Sequence, residues 1–138
     1  MTMKDVYGVG NAIVDVIAEV DDQFLSELAL EKGNMTLIDN EKMAQLEGKL
    51  SSAPKKIMSG GSAANTIFAV QAFGGSTAYA CMLSNDRNGK HFFRDFSDSG
   101  ISMSNSSIVK EGATGQCLVL VTPDAERTMA TNLGVSAN

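Results

Sequence analysis

Apolar residues along the chain come in short runs broken by polar, glycine-bearing stretches, and the spacing within the runs alternates between strand-like and helix-like. Val6 to Gly10 reads as a first strand. Ile13 to Val20 reads as a second, with Ile13, Ile17 and Val20 alternating imperfectly with Asp15 and Glu19, as on a half-buried strand. Asp21 or Asp22 caps a short helix carrying Phe24, Leu25, Leu28 and Leu30, which Gly33 ends. Met35 to Ile38 is another short strand. Asp39 is placed to cap a helix with Met43, Leu46 and Leu50 on one face, at spacings of three and four.

Past Pro54, Lys56 to Ser59 reads as a strand, and Gly60-Gly61 turns the chain into an Ala-rich helix from Ser62 to Phe73. Gly74-Gly75 stops that helix, and Thr77 to Leu83 returns as a buried strand. A helix from about Asn88 to Ser99 follows, with Phe92, Phe93 and Phe96 expected inward and Gly100 at its end. Ile108 to Lys110 is a short edge strand. Gln116 to Val121 and Arg127 to Thr131 flank Thr122-Pro123-Asp124-Ala125-Glu126, a turn-forming loop, and so predict a hairpin.

The strand–helix–strand–helix–strand order from residue 56 to residue 109 implies a parallel sheet with helices on its faces, an α/β architecture. Residues 11–20, 34–38 and 114–131 read instead as a small, half-exposed sheet of their own. With 138 residues, 43% of them apolar, the chain can bury a core within one domain. No internal repeat, low-complexity tract or linker interrupts it.

Charge narrows the partners. The net charge of −5 argues against nucleic acid and anionic membranes, and basic residues adjoin only at Lys55-Lys56. Met1-Thr2-Met3-Lys4-Asp5 runs into a strand rather than a signal-peptide core, and no apolar run reaches the roughly 20 residues that span a bilayer. Cys81 and Cys117 sit in apolar strand-like runs and read as free buried thiols of a reducing cytosol. The expected location is cytoplasmic, which makes the sequon-like Asn34-Met35-Thr36 and Asn105-Ser106-Ser107 chance matches.

Candidate chemistry concentrates in two places. In Ser59-Gly60-Gly61-Ser62-Ala63-Ala64-Asn65-Thr66, two glycines at a strand-to-helix turn permit positive φ and close approach of a ligand to the backbone. The helix start presents unpaired N–H groups, and Asn65, one turn in, offers donor and acceptor to a vicinal diol. The competing reading is a tight turn with a satisfied Asn. The second place is Gly8-Val9-Gly10-Asn11-Ala12-Ile13-Val14-Asp15. A dinucleotide fingerprint needs glycine where Ile13 stands and a helix where a β-like run follows. An Asn and an Asp at the carboxyl end of a first strand fit a polyol better, because one carboxylate accepts two hydroxyl protons. Alternatively Asp15 faces water on an alternating strand.

Other groups offer less. His91, the lone histidine, falls on the polar side of the Phe-rich helix and is expected in solvent. With no second histidine and no paired cysteines, a zinc site or Cys–His nucleophile has nothing to build on. Most of the eight methionines read as gap-fillers, although Met35 could line a pocket. No P-loop of the form G-x-x-x-x-G-K-[ST] occurs.

Taken together, Gly8-x-Gly10-Asn11 with Asp15, Gly60-Gly61-Ser62-Ala63-Ala64-Asn65, Gly74-Gly75, Asp86-x-x-Gly89 and the hairpin from Thr114-Gly115-Gln116-Cys117 to Arg127-Thr128 resemble the N-terminal half of PfkB/ribokinase-like kinases. The order is right and the likeness spans essentially the whole chain. Ser62 stands where many sugar-specific members carry Lys, and the Asn11…Asp15 spacing is closer to adenosine kinase-like members. The resemblance implies a ribokinase-like parallel sheet with flanking helices plus a small β-sheet lid, with a ribosyl or sugar group held between them. Asn11 and Asp15 would grip ribose hydroxyls, Gly60, Gly61 and Asn65 would complete the diol site, and Met35, Leu37 and Leu118 would be lid residues against base or sugar. The implied reaction moves the ATP γ-phosphoryl group to a primary hydroxyl of a nucleoside or sugar, with Mg²⁺.

The family's Gly-Ala-Gly-Asp-type motif, which supplies the catalytic Asp, and its ATP site belong to the C-terminal half. None of the 138 residues is therefore assigned a catalytic, ATP-binding or metal-binding role. A missing base alone costs about 10²–10⁴ in rate. The expectation is an inactive substrate-binding half that needs a complementing C-terminal half. The alternative is a non-catalytic module that self-associates as a homo-oligomer through its lid or an exposed sheet edge.

Overall fold

The computed structural model describes residues 3–104 and 106–137, so Met1, Thr2, Asn138 and the Asn105 of the second sequon-like triplet lie outside the described residues. In chain order the elements are β1 (Val6–Val9), β2 (Ile13–Glu19), α1 (Asp22–Glu27), β3 (Met35–Leu37), α2 (Asn40–Lys49), β4 (Lys55–Gly60) and α3 (Ser62–Ala72). They continue with β5 (Thr77–Ala80), β6 (Met82–Ser84), α4 (Arg87–Asp98), β7 (Ser107–Val109), β8 (Gly115–Val121), β9 (Arg127–Asn132) and a 3₁₀ turn, Gly134–Ala137. The fold is α/β. By contacts it divides into two units, Met1–Val14 with Ser59–Gly115 and Leu133–Asn138, and Asp15–Met58 with Gln116–Asn132.

In the first unit β1 pairs in parallel with β5, and β6 in parallel with β7. Helix α3 packs on β1 and β5, and the glycines make that approach possible. A Cβ on Gly8 would lie 2.6 Å from Ile67 Cγ1, and one on Gly10 2.8 Å from the Ala63 Cβ. Tyr79, Phe92 and Phe96 fill the core, with Phe92 and Phe96 stacked at 4.3 Å and Phe68 edge-on to Phe96 at 4.4 Å. Phe92 and Phe96 stand at i and i+4 on α4. Phe93 lies one position off that stripe, and at 38% exposure it faces outward, contrary to the sequence pattern. His91 also departs from expectation: its Nε2 is buried and has no hydrogen-bond partner.

Asp86 organises the start of α4. One carboxylate oxygen accepts from the Gly89 amide at 2.7 Å and from Thr114 Oγ1 at 2.7 Å, and the other accepts from the Thr114 amide at 2.8 Å. The Asp86-x-x-Gly89 pair thus caps a helix and ties it to the approach to β8. Gly89 is required because a Cβ there would overlap the Ser84 carbonyl. The predicted strand from Thr77 to Leu83 is interrupted at Cys81, giving β5 and β6.

The second unit is built on a sheet of order β3-β9-β8-β2-β4. Strand β4 joins this sheet rather than the parallel strands, which corrects its place in the predicted strand–helix alternation. Register sorts the two faces. Gln116↔Asn132, Leu118↔Ala130 and Leu120↔Thr128 share one face, all of them buried. Helix α2 covers that face, with Gln116 Nε2 donating to Glu47 Oε1 and Asn132 Nδ2 to Asn40 Oδ1. Asp39 caps α2 and Asp21 caps α1, as their spacing predicts. Helix α1 ends at Glu27, six residues before Gly33, with Ala29 taking the positive φ of 53° that glycine was expected to supply.

Candidate functional site

In the first unit, the carboxyl ends of the parallel strands β1 and β5 open into a cleft of about 290 Å³ lined by Gly10, Asn11, Ala80, Cys81, Met82 and Ser136, with Val9. Ligands of open α/β sheets settle at such carboxyl ends. Asn11 is held there by its backbone. Its carbonyl accepts from the Tyr79 hydroxyl at 3.3 Å, and a Cβ on Gly61 would come within 2.9 Å of the same oxygen. Gly61 has φ of 101°, a value that glycine adopts without strain. The Asn11 main chain is thus fixed from two sides while its side chain is exposed. Burial, with a smaller contribution from Cys81, pushes the Tyr79 phenol up to about 12, so it stays a neutral donor.

Gly61 also caps α3, with no side chain bonded to the helix start. Asn65 sits exposed in the first turn, its amide donating to the Gly61 carbonyl at 2.9 Å. Gly60 is buried. Ser59, quoted in the motif but given no role from sequence, has a buried Oγ with no hydrogen-bond partner. Nothing in the sequence distinguishes this hydroxyl from an ordinary strand serine; only its burial does. Cys81 is likewise new to the cleft, a free thiol pushed up by burial beside Ser106 Oγ at 3.6 Å.

In the second unit, the sheet face away from α2 carries Asp15, Met35 and Leu37. Cys117 pairs with Thr131 and Thr131 with Leu37; Val119 pairs with Met129 and Met129 with Met35. Asp15 stands close enough to Cys117 to push its thiol further up, behind the larger effect of burial. Met35 is 54% and Leu37 60% exposed. Leu118 is a correction. It is 0% exposed and on the α2-covered face, so it offers a ligand no surface. Its neighbours Cys117 and Val119 share the face of Met35 and Leu37, because successive strand residues point to opposite sides. Burial raises the Asp15 carboxyl above its ordinary 3.8, and the group remains half-buried. A buried carboxylate beside apolar side chains makes a strong acceptor for hydroxyl protons.

Asn11, Gly60, Gly61 and Asn65 thus fall in the first unit and Asp15, Met35 and Leu37 in the second. Among the described residues, no group of three or more His, Cys, Asp or Glu side chains could hold a metal ion. No helix among them is long and apolar enough to cross a membrane.

Residues 4–138 match the pfkB family of carbohydrate kinases. The chain belongs to this family. Its fold is shared with adenosine kinase from Sinorhizobium meliloti, at a TM-score of 0.86 and 36% identity over 98% of this chain and 41% of that one. A probable sugar kinase from Rhizobium etli CFN 42 gives 0.83 and 38%, over 97% of this chain and 40% of that one. Adenosine kinase 2 of Arabidopsis thaliana is 26% identical over 134 residues, 94% of this chain and 38% of that protein. The chain therefore spans about two fifths of the length of these kinases.

Proposed function

We infer that this pfkB-family chain is the substrate-binding part of an ATP-dependent kinase that phosphorylates a primary hydroxyl of a nucleoside such as adenosine, or of a sugar. The observation that carries the reading is Asn11, exposed at the carboxyl ends of β1 and β5 while Tyr79 and Gly61 fix its backbone. Asn11 and Asn65 bind substrate hydroxyls, with Gly60-Gly61 letting the ligand approach the main chain. Asp15 accepts two hydroxyl protons. Met35 and Leu37, as lid residues, offer apolar surface to a base or sugar face. The strands near residues 11–20, 34–38 and 114–131 form that lid.

No residue of this chain is given the general base. No step of the transfer is routed through a metal held by this chain. ATP binding, Mg²⁺ and the base are assigned to the length that the relatives carry beyond the matched part. Residues 1–138 alone are expected to bind the substrate without phosphorylating it.

The test is a protein carrying the family's full length, assayed for ATP consumption against adenosine, other nucleosides and free sugars. Turnover of one of these, with Asp15→Ala raising KM tenfold or more (one lost charge-assisted hydrogen bond is worth about 1.5–3 kcal/mol), supports the reading. Silence across that panel overturns it. A second reading has one observation in its favour: exposed Met35 and Leu37 make an apolar sheet face that another copy of the chain could cover.

A further inference from the structure

A second cavity on the first unit is unconnected with Asn11. It has a volume of about 440 Å³ and is lined by Asn85, Asp86, Arg87, Lys90, His91 and Arg94. Residues 87, 90, 91 and 94 fall on one stripe of α4, at spacings of three, one and three. In a chain of net charge −5, three cations share this stripe, and among the described residues none of them takes part in an ion pair. The carboxylate facing them, Asp86, is already engaged by Gly89 and Thr114. His91 adds a fourth nitrogen-bearing side chain to the lining of this cavity.

The charged cavity adjoins an apolar one. A groove of about 390 Å³ shares Asn85, Lys90 and Arg94 with it and adds Phe93 and Ile108, 38% and 56% exposed, with Asp98 at its edge. A phosphate set on Arg87, Lys90, His91 and Arg94 would leave the rest of its molecule against an aromatic ring and an isoleucine. Arginine and lysine suit phosphate oxygens, and a flat apolar ring suits the face of a base. We propose that α4 carries a second ligand site, for a nucleoside monophosphate, with the phosphate on the Arg87–Lys90–His91–Arg94 stripe and the base in the Phe93–Ile108 groove. The site does not depend on the kinase reading.

Titration of the isotope-labelled chain with AMP, inorganic phosphate and adenosine, followed by amide shifts of Asn85 to Asp98, tests the assignment. AMP is expected to shift these amides saturably, phosphate to do so at least about tenfold more weakly, and adenosine to leave them unmoved. The double variant Lys90→Gln with Arg94→Gln should weaken AMP by about tenfold or more, since each lost charge-assisted contact approaches a factor of ten. Phe93→Ala should weaken AMP but not phosphate; both variants alter exposed side chains and leave the core in place. No saturable shift at millimolar AMP, or full AMP affinity in the double variant, overturns the site. Equal affinity for AMP and phosphate overturns the nucleotide assignment.

Discussion

Asp15 is the residue where the proposed binding role and stability oppose each other. Burial lifts its folded-state pKa above the ordinary 3.8, so over that interval the folded chain holds a proton that the unfolded chain has lost. Its favourable contribution is complete below the unfolded value and disappears as pH rises through the folded one. Asp15→Asn is therefore expected to raise the melting temperature at neutral pH and to leave it unchanged near about pH 3, where both forms are neutral. A calorimetric melt at the two pH values checks this, and a destabilised variant at neutral pH would mean the carboxylate has a stabilising partner. Ser59 makes a parallel case. Because its hydroxyl is buried and unpartnered, Ser59→Ala should cost no stability in urea, while substrate affinity falls by about tenfold if a ligand hydroxyl meets it. Asn11, Asp15 and the Gly60-Gly61 turn stood out in the sequence because their residue types are unusual at strand ends. Ser59 and the error at Leu118 did not, because burial and strand parity are decided by pairing partners far along the chain.

At the scale of the element, local chemistry was legible and distant pairing was not. Asp21 and Asp39 cap their helices by bonding amides three residues on, at 2.8 Å each, an arrangement that neighbouring residues alone decide. Strand β4 reads as a partner of the parallel strands, yet it lies beside β2, because a short apolar run carries no label for its sheet. Asp86 joins the two kinds of information. Its cap on Gly89 is local, whereas its grip on Thr114 spans 28 residues. Loss of an N-cap costs about 0.5–2 kcal/mol, and loss of the Thr114 bonds to a charged acceptor adds about 1.5–3 kcal/mol. Asp86→Ala is expected to lower unfolding stability by about 2–5 kcal/mol in urea, with Asp86→Asn falling between. A change under about 0.5 kcal/mol would show that surface-like residues do the anchoring instead. Thr114→Val in the Asp86→Ala background should still cost about 1–3 kcal/mol, because the Thr114 hydroxyl also accepts from the buried Ser84 amide at 3.0 Å, a bond that does not depend on Asp86.

For the molecule as a whole, the question is what covers the open sheet face of the second unit, and areas decide it. Fully burying a Leu or Met side chain is worth about 1.5–3 kcal/mol at roughly 25 cal/mol per Å², which corresponds to about 60–120 Å² each. Met35 and Leu37 are little more than half exposed, and Val119 and Met129 beside them less so, leaving roughly 100–200 Å² of apolar surface on this face. A stable pairing of two copies removes about 800 Å² from each partner. The face is too small for that and large enough for the flat side of a base or sugar. Light scattering should accordingly give the monomer mass of 14.5 kDa at micromolar concentration, and Leu37→Glu should leave that mass unchanged while weakening nucleoside binding. A dimer mass abolished by Leu37→Glu would instead establish self-association and remove Leu37 from the substrate reading. Because Leu37 and Asp15 share this face while Leu118 does not, Leu118→Met should leave nucleoside affinity untouched, and any change confined to binding would show that the face assignment, rather than the family, is at fault.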